Sequence, residues 1–253
     1  MKQAMDAPLT LAGVDLAWQS EKNGTSVAIG ELDSGVLTIT ETDPNLRSLR
    51  DVKAKLDSVW GLRGIAIDAP LIMKNGHGQR PCEKHVGTAY GSRKASCHTS
   101  NLSRYPDPAS VQLSQRLQDD GFVHLGQLSG KWQIECYPHP ALIEIFGLPE
   151  RHAYKKGRVT ERRAGQTELS RLLLSLADSK VLPLRFRPED YDLLSEDHVG
   201  LLRGAKLKQN EDWLDSIVCL YIAGLYAIEV IEKVFGNVNQ GYIYVPRPKC
   251  ERV

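Results

Sequence analysis

Asp15 is a carboxylate in a place that seldom accepts one. It stands in Leu11-Ala12-Gly13-Val14-Asp15-Leu16-Ala17-Trp18, which reads as a strand, and strand interiors are depleted in Asp. Alternation sets Gly13, Asp15 and Ala17 on one face. Both neighbours are small, which leaves open space above the carboxylate for a ligand or a metal. In Ile65-Ala66-Ile67-Asp68-Ala69-Pro70, Asp68 shares its face with Ala66 and ends the segment. Open α/β sheets bind ligands at such carboxyl ends. Glu135 lies between Gln133 and Tyr137, with Ile134 and Cys136 on the other face. Asp212, Asp215, Ser216 and Cys219 share one face of a helix. Each acid also has a structural reading: Asp68 caps a turn ahead of Pro70, and Asp212 and Asp215 serve a helix dipole. Convergence is the sharper idea. Two carboxylates about 4 Å apart repel by about 4 kcal/mol at an effective dielectric of about 20, so a cluster of them needs a cation. Oxygen donors without Cys/His metal spacing favour Mg²⁺ or Mn²⁺.

Other residues with chemistry surround these acids. Arg80, Lys84, Arg93, Lys94 and Arg104 form one basic group, in a stretch with Gly78, Gly87 and Gly91. Arg80, Lys84, Arg93, Lys94 and His98 are candidates for holding substrate phosphates. Lys155, Lys156, Arg158, Arg162 and Arg163 form a second basic group, and a solvated face is the plainer reading of such a run. His139 is a candidate proton donor, since histidine titrates near neutrality; a cap or packing role stands beside that reading. Cys82-x-x-His85 and Cys97-His98 suggest zinc, but the adjacent pair departs from ligand spacing. No Gly-x-Ser-x-Gly elbow and no Gly-x-x-x-x-Gly-Lys-Ser/Thr loop occurs in the sequence.

The elements that position the acids follow from periodicity. Leu9–Trp18, Thr25–Leu32 and Val36–Thr40 read as three strands joined by the turns Asn23-Gly24 and Asp33-Ser34-Gly35. Asp43-Pro44 reads as the start of a helix that Gly61 ends. Gly64–Ala69 is a buried strand, which the meander and crossover helix place parallel to the first. Asp15 is thus expected on the middle strand of a mixed sheet, with Asp68 beside it. Residues 73–130 read as an insertion with short helices near 80–88 and 110–120. Trp132–Tyr137 is a strand, Pro140–Phe146 begins a helix closed by Gly147, and Glu168–Ala177 is amphipathic. Glu211–Val234 is the longest helix, with Asn210 as its N-cap, and Gly241–Val245 is a last strand.

Composition sets the outer bounds. The chain has 253 residues, 42% hydrophobic and 25% charged, a globular mixture that argues against disorder. Residues 1–253 suit one domain carrying the 73–130 insertion. A net charge of +1 means that any nucleic-acid contact must come from a local patch. Five scattered cysteines suggest reduced thiols and a cytoplasmic protein. The segment Met1–Pro8 lacks the pattern of a secretion signal. The longest apolar run, Ile217–Ile228, falls short of the roughly 18 residues of a membrane span, so no membrane partner is expected.

The ordered segments Gly13-Val14-Asp15-Leu16-Ala17, Ala66-Ile67-Asp68-Ala69-Pro70-Leu71, Arg80-Pro81-Cys82-Glu83, Glu135-Cys136-Tyr137-Pro138-His139-Pro140 and Asp212-Trp213-Leu214-Asp215-Ser216 resemble domain-of-unknown-function family 429. That family is described as predicted nucleases with a ribonuclease H-like fold. The resemblance covers almost the whole chain. It implies an α/β fold: a mixed sheet of a three-strand antiparallel meander plus parallel strands, flanked by helices. It also implies metal-dependent hydrolysis of nucleic-acid phosphodiesters, DNA or RNA, with Asp15, Asp68, Glu135 and Asp215 catalytic. By the superfamily's mechanism Asp15 bridges two ions roughly 4 Å apart, Asp68 and Asp215 complete the sites, and Asp212 is an alternative to Asp215. Glu135 falls either beside the metals or under the following helix. Two other readings stay open. An ATP phosphotransferase of the same fold needs glycines after the first Asp, where this chain has Leu16-Ala17. A non-catalytic nucleic-acid-binding module keeps the acids for metal or structure.

Overall fold

The computed structural model describes residues 7–18, 24–230 and 232–247. The chain opens with an antiparallel meander, β1 (Leu9–Asp15), β2 (Thr25–Asp33) and β3 (Val36–Leu46). Helix α1 (Leu49–Ser58) crosses to β4 (Leu62–Asp68), which pairs parallel to β1. Helices α2 (Pro81–Tyr90) and α3 (Ala109–Asp119) and the short β5 (Val123–His124) occupy residues 73–130, and β5 joins the main sheet beside the next strand. Strand β6 (Trp132–Glu135) then leads into α4 (Pro138–Phe146) and α5 (Val159–Ser175). Strand β7 (Leu184–Arg185), α6 (Pro188–Leu193), α7 (Glu196–Leu201), α8 (Gly204–Ala227) and the hairpin β8 (Glu232–Asn237) and β9 (Gly241–Pro246) complete the order. The main sheet runs β5-β6-β4-β1-β2-β3-β7, so β1 is its middle strand. This α/β sheet is consistent with a ribonuclease H-like arrangement.

Strand alternation divides the apolar side chains between two layers. Leu11, Ala66 and Ile134 face α8, α4 and α5, while Ala12, Val14, Ile65 and Ile67 face α1 and α3. Helix α8 is buried nearly all round. It lies so close to β1 that a Cβ on Gly13 would stand 2.0 Å from the Leu220 backbone nitrogen. The small residue next to Asp15 therefore admits a helix, and the space expected above that face is filled. Ser26 Oγ donates to Ser216 Oγ at 3.0 Å and pins α8 across β2. Among the described residues, no helix is long and apolar enough to cross a membrane.

Several boundaries differ from the sequence reading. Asp43 and Pro44 belong to β3, and α1 starts later, at the Ser48 cap, where Ser48 and Asp51 form a capping box. Pro44 fits because the β2–β3 register shifts between Thr25 and Val27, and a bulge tolerates a residue without an N–H. Helix α8 begins at Gly204, so Asn210 is interior, its Nδ2 donating to Gln166 Oε1 at 2.9 Å. It ends before Val234 in a Schellman turn. Glu229 has φ 55°, and the Glu229 and Val230 amides reach the Tyr226 and Leu225 carbonyls. No glycine marks that turn, which is why the apolar run reads as longer helix. Strand β9 pairs with β8 in a separate two-stranded sheet. Asn23 and Ile231, parts of an expected turn and helix, lie outside the described residues.

Candidate functional site

Asp15 and Asp68 end adjacent parallel strands and are register partners. Register partners point to the same side of a sheet, here the side that α8 covers. One α-helical turn separates Asp212 from Asp215, and α8 brings both to the ends of β1 and β4. Asp215 is fully buried and accepts the Tyr154 hydroxyl at Oδ1, 2.5 Å away. The Lys155 ammonium lies 2.7 Å from Asp215 Oδ2 and 4.0 Å from Asp68 Oδ2. Asp212 pairs with Lys208 one turn earlier, at 2.5 Å.

The segment that delivers Lys155 is fixed along its length. The Arg151 amide donates to the Arg93 carbonyl at 2.8 Å, and His152 Nε2 bonds the Gly165 carbonyl at 2.7 Å. A Cβ on Gly165 would stand 2.1 Å from the Ala153 oxygen, so glycine on α5 is what lets this segment approach. The His152 ring stacks on Tyr154.

Burial and mutual repulsion shape the acids. Burial, then Asp215, pushes the Asp15 carboxyl well above the ordinary range, with Lys155 opposing and Asp212 and Asp68 adding. Asp68 is pushed up to about 7, first by burial; Lys155 restrains it, and Asp215 and Glu135 add to it. Its side chain is 19% exposed, so solvent moderates the effect of burial. Burial also raises Asp212, which Lys208 restrains. Lys155 is held protonated: burial works against its charge, but Asp215, Tyr154, Asp68 and Asp15 outweigh it.

Does this donor set fit a divalent ion? The chemistry fits in kind: the donors are carboxylate oxygens, and buried Asp215 Oδ2 has a cation as its one close partner, the Lys155 ammonium at 2.7 Å. The place of the cation, however, is held by Lys155. Among the described residues, no three His, Cys, Asp or Glu side chains are grouped to hold an ion in this arrangement. An ion needs Lys155 to swing aside.

Glu135 stands apart from the four aspartates for a reason of register. Its partner on β4 is Ile67, one residue before Asp68, and one residue reverses the face. There Arg80 clasps Glu135 with two bonds, of 2.9 and 2.5 Å, and Glu135 Oε2 also accepts the Leu71 amide. Arg80 is 2% exposed, and its Nε donates to Glu83 at 2.8 Å. This ion-pair network ties α2 to the sheet. Arg93 binds Glu144 and the Pro149 and Leu148 carbonyls, and Lys94 pairs with Glu150. Lys84 is exposed on α2. These three lie outside the lining of the cavity at the acids.

That cavity has a volume of about 320 Å³, and Asp15, Asp68, His98, His139, Arg151 and Lys156 are among the residues lining it. His139 is held neutral: burial pushes its pKa well down, and Lys155, Arg151, His152 and His98 add to the effect. Of the two basic groups in the sequence, the first gives Arg80 to the cavity lining and the second gives Lys155 and Lys156. Tyr154 and Arg151 are the residues that sequence reasoning missed, and Lys155 is read there only as part of a basic run, not as the partner of the aspartates. They sit on a connection without periodicity, and the Tyr154-Lys155-Lys156-Gly157 run was the available signal. The thiols of Cys82, Cys97, Cys136 and Cys219 are free, and burial raises those of Cys82 and Cys97. Cys250 lies outside the described residues.

With this geometry in view, the comparisons place the chain. A family described as "Protein of unknown function (DUF429)" matches residues 13–239, and the chain belongs to it. The match takes in all four aspartates, Glu135 and the 151–156 segment. No curated protein and no solved structure matches the chain.

Proposed function

We propose that the protein is a metal-dependent nuclease of the ribonuclease H-like superfamily, hydrolysing phosphodiester bonds of DNA or RNA at the aspartate cluster. The observation that supports this most is the register pairing of Asp15 with Asp68 on the two central parallel strands, closed by Asp215 from α8. Asp15, Asp68 and Asp215 would hold Mg²⁺ or Mn²⁺, with Asp212 as an auxiliary acid. A bound divalent ion supplies acidification of a water molecule and counter-charge for the leaving oxygen. Tyr154 orients Asp215 by donating to Oδ1, which leaves Oδ2 for a cation. Lys155 neutralises the cluster when no metal is bound. His139, being neutral, suits ligand contact better than proton delivery.

The test is cleavage of single-stranded and duplex DNA, RNA and hybrids with added Mg²⁺ or Mn²⁺. Wild type is expected to cut at least one of them, and Asp15→Asn to abolish cutting while the fold persists. Asp212→Asn should do less harm than Asp215→Asn. Equal activity of wild type and Asp15→Asn rejects the site. Turnover of ATP without cleavage moves the function to a phosphotransferase.

One observation favours a second reading. Lys155, 2.7 Å from Asp215, completes a charge network that stands without metal, as a binding module without catalysis would need. Under that reading Mn²⁺ titration gives no binding.

A further inference from the structure

The lining of the cavity carries charges of both signs, and only the aspartates have been given a task. Arg80, Glu83 and Glu135 in that lining are bonded to one another; His98, His139, Arg151 and Lys156 also line it. Of the other Lys and Arg side chains that line the cavity, Arg80 and Lys155 are paired with acids. Arg151 and Lys156 have no ion-pair partner among the described residues, yet they line a concave site. Two unneutralised cations at a cavity invite an anion.

His139 supplies an independent observation. It is 7% exposed, and its Nδ1 is buried without a hydrogen-bond partner. A buried polar atom left unpaired costs free energy that an incoming partner offsets. Tyr137 and Tyr154 pack edge-on against the ring and hold it in place. The charges that act on it most are Lys155, Arg151, His152 and His98, so the surroundings of this neutral ring are electropositive.

The backbone adds to the same field. His139 is in the first turn of α4, between Pro138 and Pro140. Prolines have no N–H, so in the first three positions of α4 His139 alone carries a backbone donor. The positive end of a helix favours anions, and both Tyr137, the cap, and His139 line the cavity.

We propose that the cavity-lining residues His98, His139, Arg151 and Lys156 form a binding site for a phosphate group, and that as a substrate subsite it holds a terminal phosphate of the nucleic-acid strand. Arg151 and Lys156 match the charge of a phosphate dianion, and a guanidinium fits its oxygens in pairs. A volume of about 320 Å³ lies at the small end of ligand pockets, which suits one nucleotide unit rather than a duplex. As a substrate subsite it rests on the nuclease reading. As an anion site it stands on these residues alone and needs no divalent ion.

The experiment is calorimetric titration in EDTA with inorganic phosphate, a nucleoside 5′-monophosphate, a nucleoside 3′-monophosphate and the unphosphorylated nucleoside. Wild type is expected to bind the phosphate-bearing ligands and not the nucleoside. Arg151→Gln and Lys156→Gln should each weaken binding by at least about tenfold, or about 1.4 kcal/mol, since each removes a charge-assisted contact. Unfolding midpoints should stay near wild type, Lys156 being exposed. Asp15→Asn should bind phosphate at least as well as wild type. No phosphate binding by wild type, or unchanged affinity in both Arg151→Gln and Lys156→Gln, overturns the proposal. Phosphate binding without metal-dependent cleavage defeats the nuclease reading and leaves the anion site. Cleavage with no phosphate affinity defeats the anion site and leaves the nuclease.

Discussion

Replacing Lys155 by Met removes the cation from the aspartate cluster and keeps the side chain's length. Asp215 is 0% exposed and then retains only the Tyr154 hydroxyl. Breaking a buried ion pair usually costs about 3–5 kcal/mol. Lys155 is 26% exposed, so water softens the loss to about 2–4 kcal/mol. Protonation sets the ceiling. Neutralising a carboxyl of ordinary pKa at pH 7 takes about three units at about 1.4 kcal/mol each, or about 4 kcal/mol. At 2–4 °C per kcal/mol for a chain of this size, the midpoint should fall by roughly 4–16 °C. The sign of the pH dependence follows. Lys155 restrains the raised pKa values of Asp15 and Asp68, so without it they rise further above their unfolded values. The loss is therefore small in acid and grows as pH rises through those raised values. The assay is thermal and urea unfolding in EDTA at pH 5 and pH 7.5, repeated with Mg²⁺. Mg²⁺ should stabilise Lys155→Met more than wild type, because it no longer competes with a tethered ammonium. Equal stability of variant and wild type in EDTA, or a loss that is the same at both pH values, refutes the reasoning.

Asp68→Asn should raise metal-free stability by about 1–3 kcal/mol at pH 8, a discount on the ceiling of about 4 kcal/mol that a shift to about 7 implies. Because that pKa is raised, the gain should vanish below about pH 4, as urea unfolding across pH will show, while divalent-dependent cleavage is lost. Gly13→Ala drives a Cβ into the α8 backbone and should cost at least about 3 kcal/mol, readable as a collapse of the unfolding midpoint. Arg80→Met strands Glu135 and Glu83 and should cost about 3–5 kcal/mol; loss of substrate affinity at full stability would contradict the network described. Burial holds His124 neutral, its pKa pushed down to about 4, with Ser114 and Tyr242 as hydrogen-bond partners. Its contribution is full above about pH 6.5 and lost toward pH 4, so His124→Gln should flatten the acid limb of the stability curve.

What the sequence disclosed depended on whether a residue's role was local. Asp15 and Asp68 were legible because alternation and strand order are local and together fix a register. The helical face of Asp212 and Asp215 was legible for the same reason, although the helix ends were not. The Schellman turn at Glu229 uses a non-glycine residue in the left-handed region, and nothing in the sequence flags it. Gly13 was read as making room for a ligand; its partner, the backbone at Leu220, lies about two hundred residues away and leaves no periodic mark. Glu135 and Arg80 both line the cavity at the acids, but as partners of each other rather than beside the aspartates. Their pairing depends on a one-residue offset between β4 and β6, which strand boundaries read from sequence do not resolve. Lys155 was hidden most deeply, since a basic run on a connection usually meets solvent.

The same short segment makes two kinds of contribution to the cavity. Lys155 reaches into the aspartates, while Arg151 and Lys156 line the cavity with no acid beside them. The Arg93 carbonyl, the Gly165 carbonyl and the close approach at Gly165 hold the segment from two directions. A charged group fixed this way loses little freedom when a ligand arrives, and that is the condition for electrostatic work at a site. The arrangement also separates two tasks that one cation would perform poorly. An ammonium between acids stabilises the empty site and competes with any divalent ion. Cations without acidic partners keep their full charge for an incoming phosphate. Binding of phosphate beside Lys155 would in turn give the ammonium a second anionic partner and draw it from Asp215, loosening the cation place in the cluster. Phosphate and divalent ion should therefore bind with positive coupling, each tightening the other by the same factor. Titrating Mn²⁺ with and without inorganic phosphate measures that factor directly. Lys155→Met should reduce it toward one, and a coupling unchanged in that variant would show that the lysine does not transmit it.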